Sequence, residues 1–188
     1  QLKKFSNLLV KNQIAKIFQI PGKIQAEQYS NMFGIEIENT TDLGGGSNIG
    51  YTNGSDYLDY RVNVLSDLEY DIKLRVAAES KSGRVVFYNV SPEQKETELL
   101  TMLLPITNGW QNWQTVSGRI SLNKGEYTLR MKIINGDFNM NWIDISYKDT
   151  DGDGINDQLD ECPNSLSDVV DINGCELAPI PLNIFSIK

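Results

Sequence analysis

Five aspartates recur at regular spacing near the carboxyl end of the chain, in the segment DTDGDGINDQLD. They stand at positions 1, 3, 5, 9 and 12 of a loop: Asp149, Asp151, Asp153, Asp157 and Asp160. Gly154 stands at position 6, where a calcium-binding loop makes its sharp turn. Hard oxygen ligands at this spacing wrap one Ca²⁺ ion, so the segment predicts a calcium site, with a solvated acidic linker as the alternative. The loop differs from an EF-hand, because position 12 is Asp rather than Glu and Glu161-Cys162 follows at once.

The net charge of −8 is concentrated in this part of the chain. Residues 149–176 contain nine acidic residues and no Lys or Arg, which leaves 16 acidic against 17 basic residues elsewhere. No basic stripe of the kind that binds a phosphate backbone occurs, so nucleic acid is excluded as a partner. The chain has no His, which excludes Ser-His-Asp and Cys-His catalysis and His-ligated zinc. No apolar run approaches the ~20 residues of a membrane-spanning helix.

Outside the acidic segment, the elements that must position functional side chains are short β-strands. Within Asp71–Val76 polar and apolar residues alternate, which puts one face of a strand in water and the other in a core. Eight runs of this kind predict strands: Lys23–Tyr29, Tyr57–Val64, Tyr70–Ala77, Arg84–Val90, Glu98–Leu104, Trp113–Ile120, Tyr127–Ile133 and Met140–Ser146. Residues 44–48 predict a loop and residues 91–98 a solvated turn. The pattern predicts an all-β fold, a sandwich of two sheets.

Four segments follow from these patterns. Residues 1–19 are interpreted as a linker or upstream remnant, whose apolar spacing is compatible with an amphipathic helix or with the last strand of a preceding domain. Residues 20–147 form the sandwich, residues 148–176 the calcium loop and its continuation, and residues 177–188 a proline-containing linker. The first residues carry no secretory signal pattern, so we expect either a cytosolic protein or an internal piece of a longer exported chain.

The acidic segment has a family resemblance of its own. The pattern DxDGDGxxDxxDxCP, followed by Asp171–Cys175, resembles a thrombospondin type 3 repeat. The resemblance implies a stiff, calcium-dependent spacer in which Cys162 and Cys175 are disulfide-bonded, with two free thiols as the alternative. A disulfide and a calcium site both point to a secreted or cell-surface protein.

Five blocks within the predicted sandwich carry a second resemblance. They are Ile20–Tyr29, Thr40–Tyr51, Gly54–Tyr60, Asn108–Trp113 and Phe138–Ile143. In this order and spacing they resemble a family 6 carbohydrate-binding module over residues 20–147. The resemblance implies a jelly-roll β-sandwich of two antiparallel sheets that binds polysaccharide without cutting it. Such modules are appended to secreted glycoside hydrolases.

The same resemblance implies a sugar site in the loops at one edge of the sandwich. It predicts that a sugar ring is held between Tyr51 and Trp110 and hydrogen-bonded by Asn139. Glu38 matches a position where some members of the family contact a hydroxyl at a chain end. This chemistry suits a pyranose, because flat aromatic rings pack against its C–H face while amides and carboxylates bind its hydroxyls.

Two further sites are implied by the family. A second sugar site on the concave face of one sheet would use Tyr57, although the sequence shows no strong set of neighbours for it. A structural Ca²⁺ near the ends of the sandwich would be held by Gln25, Glu27 and Asp144, if the first and last strands pair. A hydrogen-bonded polar cluster is the alternative for these three residues.

Catalysis is not expected. Glycosidases need two carboxylates about 5–10 Å apart across a cleft, and no second acid within the matching motifs stands with Glu38. The other two tryptophans, Trp113 and Trp142, stand within alternating runs and are expected in the core.

The expected ligand is a β-1,3-glucan such as laminarin, bound at its non-reducing end, because Glu38 would cap a chain end and oppose a polymer passing through. Agarose, xylan and other β-glycans are alternatives. We expect a monomer, covalently linked to the catalytic domain of a secreted polysaccharide-degrading enzyme. The alternative of another class is an adhesion module of a cell-surface protein.

Overall fold

The computed structural model describes residues 16–167 and 169–177, and within these ranges the regular secondary structure is entirely β-strand. The strands are β1 (Ile17–Ile20), β2 (Gly22–Gln25), β3 (Asn31–Phe33), β4 (Glu36–Asn39), β5 (Ser47–Gly50), β6 (Tyr57–Val64), β7 (Leu68–Ala77), β8 (Gly83–Val90), β9 (Glu96–Leu104), β10 (Gln114–Leu122), β11 (Gly125–Asn135) and β12 (Asn139–Tyr147). The chain divides into two compact units, one ending at Ser146 and the other beginning at Tyr147.

The first unit is built from two six-stranded sheets. Sheet A has the order β1-β6-β11-β8-β9, with β3 also paired to β6, and sheet B has the order β10-β7-β12-β5-β4, with β2 also paired to β12. Sheet A is antiparallel from β3 and β6 through β9, whereas β1 joins β6 in parallel. The predicted all-β sandwich of two sheets is confirmed.

Alternating side chains form the core between the two sheets. In β7, Tyr70, Ile72 and Leu74 are fully buried, whereas the residues between them face outward. The long strands β6, β8, β11 and β12 alternate in the same way over most of their length. Apolar side chains on one face of each strand are removed from water, which stabilises the two-layer arrangement.

The sandwich begins before the boundary predicted at residue 20. Ile17–Ile20 form β1, and Phe18 and Ile20 are buried in the core. The pattern did not reveal this strand, because its partner, Arg61–Val64 of β6, lies more than 40 residues away in the chain. Residues 1–15 of the predicted linker, and residues 178–188 of the other, lie outside the described residues.

Two predicted loops are shorter than expected. Ser47 and Asn48 belong to β5, because β4 and β12 lie on either side of this segment and pair with it. Glu96 opens β9 rather than lying in a solvated turn, and it pairs with Val90 of β8.

Trp113 and Trp142 do not lie in the core, contrary to the prediction. Both are half-buried. Trp142 stands on the face of β12 that points away from the core, since its neighbours Asn141 and Ile143 are the buried ones. The Lys23 ammonium lies 3.9 Å from the centroid of the Trp142 ring, so the exposed face is covered by a cation rather than by a second sheet.

Candidate functional site

A cleft of about 630 Å³ opens in the first unit, where β4, the end of β5 and the loops before β10 and β12 come together. Its lining residues are Gly34, Glu36, Glu38, Tyr51, Thr52, Asn53, Trp110, Gln111, Asp137 and Asn139. The four residues predicted to contact sugar, Glu38, Tyr51, Trp110 and Asn139, therefore all line one cleft.

Two aromatic side chains stand at the cleft with much of their surface in solvent. Tyr51 is 63% exposed and Trp110 is 41% exposed. Tyr51 follows β5 and has a φ of 58°, an uncommon conformation for a residue with a side chain, and Asn53 Nδ2 donates to its carbonyl oxygen at 3.0 Å. A strained, exposed aromatic residue beside a cleft is typical of a binding site.

The floor of the cleft is a hydrogen-bonded group centred on Glu38, which is half-buried. Its Oε1 accepts from Asn139 Nδ2 at 2.6 Å, Asn48 Nδ2 at 3.0 Å and Gln111 Nε2 at 3.2 Å. The buried Asn139 side chain also donates to the carbonyl oxygen of Trp110 at 2.8 Å. These bonds connect β4, β5 and β12 to the loop that carries Trp110.

A glycine makes this arrangement possible. Gly50 lies in β5, between β4 and β12 in the order of sheet B. A Cβ atom at Gly50 would lie 2.7 Å from Asn139 Oδ1 and 3.4 Å from Glu38 Oε1. The Asn139 side chain therefore passes over the bare backbone of Gly50 to reach Glu38.

The sequence reasoning missed several residues of the cleft. Asn48 and Gln111 bind Glu38, Glu36 is an exposed carboxylate of the lining, and Asp137 forms an ion pair with Lys81 at 2.8 Å. The sequence feature that could have indicated Asn48 and Gln111 is their place within the blocks Thr40–Tyr51 and Asn108–Trp113. Their side-chain chemistry alone does not indicate a binding site.

Residues 25–147 match the family described as carbohydrate binding module (family 6). The chain belongs to this family. Over these residues it is a non-catalytic carbohydrate-binding module with a carbohydrate as its ligand. Modules of family 6 are typically extracellular. No helix long and apolar enough to cross a membrane occurs among the residues described above.

Solved family 6 modules have the same fold. A module of lichenase 5A from Cellvibrio mixtus, solved in complex with cellotriose, is 35% identical, with a TM-score of 0.63 over 68% of this chain and 98% of that one. A β-1,3-glucan-binding module from Bacillus halodurans is 34% identical, with a TM-score of 0.63 over 70% of this chain and 99% of that one.

Longer proteins contain related segments. The clotting factor G alpha subunit of Tachypleus tridentatus is 32% identical over 124 residues, which are 65% of this chain and 18% of that protein. The alpha-agarase of Alteromonas agarilytica is 28% identical over 200 residues, which are 93% of this chain and 14% of that protein. The chain thus spans less than a fifth of the length of either relative.

Tyr57, the residue predicted for a second sugar site, has neighbours that the sequence did not reveal. It lies on the outward face of sheet A, and its ring stacks with that of Phe33, with centroids 6.3 Å apart and planes 17° apart. The Arg130 guanidinium lies 4.4 Å from the Tyr57 ring centroid, and Asn31 Nδ2 donates to the Tyr57 hydroxyl at 3.3 Å. Phe33 is 60% exposed, so this second aromatic surface of the family 6 module is open.

Charged side chains border this aromatic surface. Arg130 pairs with Asp59 at 2.6 Å and with Glu96 at 2.9 Å, and Lys132 pairs with Glu96 at 2.5 Å. The hydrogen bond from Lys132, followed by that from Arg130, lowers the pKa of Glu96 despite its partial burial. The ion pairs hold the cations in place beside the rings of Tyr57 and Tyr88.

The residues predicted for a structural calcium site lie at the end of β2, the second strand, and on β12, the last strand. β2 and β12 are paired, with Gln25 opposite Trp142 and Asp144 opposite Lys23. Glu27 Oε2 is buried and has no hydrogen-bond partner, which fits a carboxylate that binds a cation. Asp144 faces Lys23, whose ammonium lies 3.8 Å from its carboxylate.

In the second unit, three of the five predicted aspartates lie close together, whereas Asp157 binds other groups. Carboxylate oxygens of Asp149, Asp151 and Asp153 lie within 4.8 Å of one another. Asp157 instead accepts from the backbone N–H and hydroxyl of Thr150 at 2.7 and 2.8 Å and pairs with Lys148 at 3.2 Å.

Two oxygens in this loop have no partner. Asp153 Oδ2 and Asp160 Oδ2 are buried without a hydrogen bond. A Cβ atom at Gly174 would lie 2.0 Å from Asp160 Oδ1 and 3.3 Å from Asp153 Oδ2, so both carboxylates converge on this glycine. Burial, and the charges of Asp153 and Asp151, raise the pKa of Asp160 against the opposing N–H of Cys162. The donor set therefore fits Ca²⁺, which would neutralise the repelling carboxylates and fill the unpaired positions.

Cys162 and Cys175 are joined by a disulfide, with Cα atoms 5.0 Å apart. Inside the loop that it closes, Asp171 Oδ1 accepts from the N–H groups of Asn173 and Cys175 at 2.8 and 3.1 Å. The segment that carries Gly174 is thus held against the aspartate loop by a covalent bond. A disulfide is consistent with secretion.

Proposed function

We propose that the cleft binds the non-reducing end of a β-1,3-glucan such as laminarin, with one sugar ring between Tyr51 and Trp110. The observation that carries this proposal is the hydrogen bonding of the Glu38 carboxylate. Three amides bind its Oε1, so the carboxylate is held in one orientation and Oε2 is left to accept from a ligand. A fixed carboxylate at the cleft binds a terminal hydroxyl and blocks a chain from continuing past it.

Two of the solved relatives support a β-glucan as ligand. The Cellvibrio module was solved with cellotriose and the Bacillus module is described as β-1,3-glucan-binding, each at about a third sequence identity. Agarose is an alternative ligand, supported by the similarity of 93% of this chain to a segment of an alpha-agarase. Xylan is a further alternative, because an aromatic pair binds the shape of a ring more than its linkage.

The module targets a secreted polysaccharide-degrading enzyme to its substrate, as the covalently linked neighbour of a catalytic domain. The alpha-agarase supports this role, because the related segment is 14% of a longer enzyme. An adhesion module of a cell-surface protein is the alternative. The parent chain distinguishes them: a neighbouring glycosidase domain supports targeting, and an array of repeats supports adhesion.

Affinity electrophoresis tests the ligand directly. The wild-type chain and Trp110→Ala are run through gels that contain laminarin, xylan, agarose or a cellulose-type glucan. Trp142→Ala is the matched control, because it removes a half-buried tryptophan outside the cleft. Retardation by laminarin that is strongly reduced in Trp110→Ala and kept in Trp142→Ala supports the proposal. Retardation by agarose or xylan instead assigns one of the alternatives, and no retardation in any gel refutes all three.

The aromatic surface of Tyr57 and Phe33 is a second place for glycan contact. Its stacked rings offer a flat apolar area, and Asn31 and Arg130 beside them offer donors to hydroxyls. An extended glucan bridging between molecules, or one too long for the cleft alone, would use this surface.

The second unit is a thrombospondin type 3-like repeat that folds around calcium. Asp149, Asp151, Asp153, Asp157 and Asp160 are the ligand set, supported by the unpaired oxygens of Asp153 and Asp160. A second structural Ca²⁺ is held in the sandwich by Gln25, Glu27 and Asp144, supported by the unpaired oxygen of Glu27. Both ions stabilise structure and neither contacts the sugar.

A further inference from the structure

Gln111 stands beside Trp110, and its side-chain oxygen faces a hydroxyl and two N–H groups that can only donate. Oε1 accepts from the backbone N–H of Thr41 at 2.8 Å, from the Thr41 hydroxyl at 3.2 Å and from the indole Nε1 of Trp113 at 3.2 Å. A backbone N–H and an indole N–H cannot accept a hydrogen bond. The Gln111 oxygen must therefore face them, which turns its NH₂ group toward the cleft floor.

The NH₂ group of Gln111 then contacts two other side chains. It donates to Glu38 Oε1 and to Asn48 Oδ1, each at 3.2 Å. With its oxygen committed to Gln111, Asn48 donates through Nδ2 to Glu38 Oε1 at 3.0 Å and to the carbonyl of Ile49 at 3.1 Å. The Ile49 carbonyl and Gln111 thus require the same orientation of Asn48, and Gln111 supplies one of the three amides that hold Glu38 Oε1.

Asn139 is oriented by the same logic. Its NH₂ group lies between Glu38 Oε1 at 2.6 Å and the Trp110 carbonyl at 2.8 Å, and both partners only accept. Both N–H bonds of Asn139 are therefore used within the protein. What remains for a ligand at the floor is oxygen: Glu38 Oε2 and Asn139 Oδ1.

We propose that Gln111 is a positioning residue for sugar binding, which helps to hold Glu38 and Asn48 in a network whose floor offers only acceptors. The ligand must then donate hydroxyl hydrogens to the floor, which restricts it to a terminal sugar with free hydroxyls at that position. Gln111 itself acts through Glu38 and Asn48 rather than by touching the sugar. This inference rests on the proposed function, because it concerns the same cleft.

The test replaces the donor while keeping the shape. In Gln111→Glu, a carboxylate cannot donate to Glu38 at neutral pH and adds a negative charge beside it. Protonation at low pH returns one donor. The other charged groups of the cleft, Glu36, Glu38 and the Asp137–Lys81 pair, are the same in wild type, so the wild-type pH profile is the reference. Gln114→Glu is the control, since Gln114 is exposed on β10 and lies outside this network.

Binding of laminarihexaose by the 188-residue chain is measured by calorimetry at pH 8 and pH 4. We expect Gln111→Glu to bind about tenfold more weakly than wild type at pH 8, as the loss of a hydrogen bond to a charged group requires, and this difference from wild type to narrow at pH 4, close to the ordinary glutamate pKa of about 4.3. Gln114→Glu should match wild type at both values. Equal binding at pH 8, or an equal loss at both values, overturns the positioning role.

A second measurement needs no variant and so does not depend on folding. Laminarihexaose with its terminal sugar O-methylated cannot donate to the floor. Wild-type protein should fail to bind it, and equal binding overturns the acceptor-only floor. If wild type binds neither unmodified laminarihexaose nor cellohexaose, xylohexaose or agaro-oligosaccharides, the proposed function fails, which is a different result from wild-type binding with an unaffected Gln111→Glu.

Discussion

Asn139 donates to Oε1 of Glu38 at 2.6 Å, across 101 residues of chain and across the strand that separates β12 from β4. The contact is possible only because the residue in between, Gly50, has no side chain. The cleft of this family 6 module therefore depends on three neighbouring strands of sheet B, with an amide on one, a carboxylate on another and bare backbone on the strand between them.

Gly50→Ala should weaken glucan binding by about tenfold or more, because the new Cβ would lie 2.7 Å from Asn139 Oδ1 and displace it from Glu38. Calorimetry with laminarihexaose measures the effect. Gly118→Ala in β10 is the control, since its nearest neighbour is the flexible end of Met102 at 3.3 Å. Unchanged affinity in Gly50→Ala would show that the Asn139–Glu38 contact is dispensable.

Glu38→Ala should lose most binding of short β-1,3-glucans, because the carboxylate that receives the terminal hydroxyl is gone. Glu36→Ala is the matched control: it removes an exposed carboxylate from the same cleft lining. A titration of laminaritriose against both variants measures the difference. If Glu38→Ala binds as wild type does, the ligand is not held by its chain end.

Removal of calcium should lower thermal stability more than it lowers glucan affinity. The proposed ions bind the folded state alone and thereby stabilise it, while lying outside the sugar cleft. Differential scanning calorimetry with and without a chelator measures the unfolding temperature, and affinity electrophoresis measures binding. Asp153→Asn should reduce the calcium-dependent gain, and Glu161→Gln, outside the ligand set, should keep it. Equal losses of stability and affinity would contradict a structural role.

The ion pair between Asp42 and Arg75 should make the free energy of unfolding depend on pH in the acidic range. Arg75 Nη2 lies 2.7 Å from Asp42, whose side chain is 5% exposed, and the hydrogen bond from Arg75 lowers the pKa of Asp42 against the effect of burial. A lowered pKa in the folded state stabilises the protein above the ordinary pKa of about 3.9, and this stability is lost as pH falls through the folded value.

Asp42→Asn should therefore cost about 3 kcal/mol of unfolding free energy at pH 7, and the gap to wild type should shrink below about pH 4. Urea unfolding at pH 7 and pH 3 measures it. Glu126→Gln is the control, since its pair with Arg61 at 3.8 Å is exposed and contributes about 1 kcal/mol or less. A gap that stays constant with pH would rule out the ion pair as its source.

The outward aromatic surface should contribute binding that survives loss of the cleft. Phe33→Ala in a Trp110→Ala background should abolish the residual retardation of the protein by laminarin, because half of the stacked pair with Tyr57 is removed. Leu103→Ala, at a 73% exposed residue of β9, is the control in the same background. Residual binding that persists without Phe33 would remove this surface from the proposal.

The long strands could be predicted from the sequence and the short ones could not. β6 begins and ends where predicted, at Tyr57 and Val64, because its alternation records which face is buried. β1, β3, β4 and β5 have three or four residues each and no sustained alternation. They exist as strands because a neighbouring strand offers them hydrogen bonds, and that information lies far away in the chain.

The sequence by itself determined the fold class, the family, the cleft aromatics Tyr51 and Trp110 as candidates, and an acidic loop with calcium spacing. Each of these is a matter of residue type at a local spacing, which a linear pattern records. Tertiary structure alone decided that Gln111 and Asn48 hold Glu38, that Gly50 gives Asn139 its path, and that Phe33 and Arg130 accompany Tyr57. These are relationships between polar or flat groups brought together from distant parts of the chain, and hydrogen bonds and ring contacts depend on distance and direction in space.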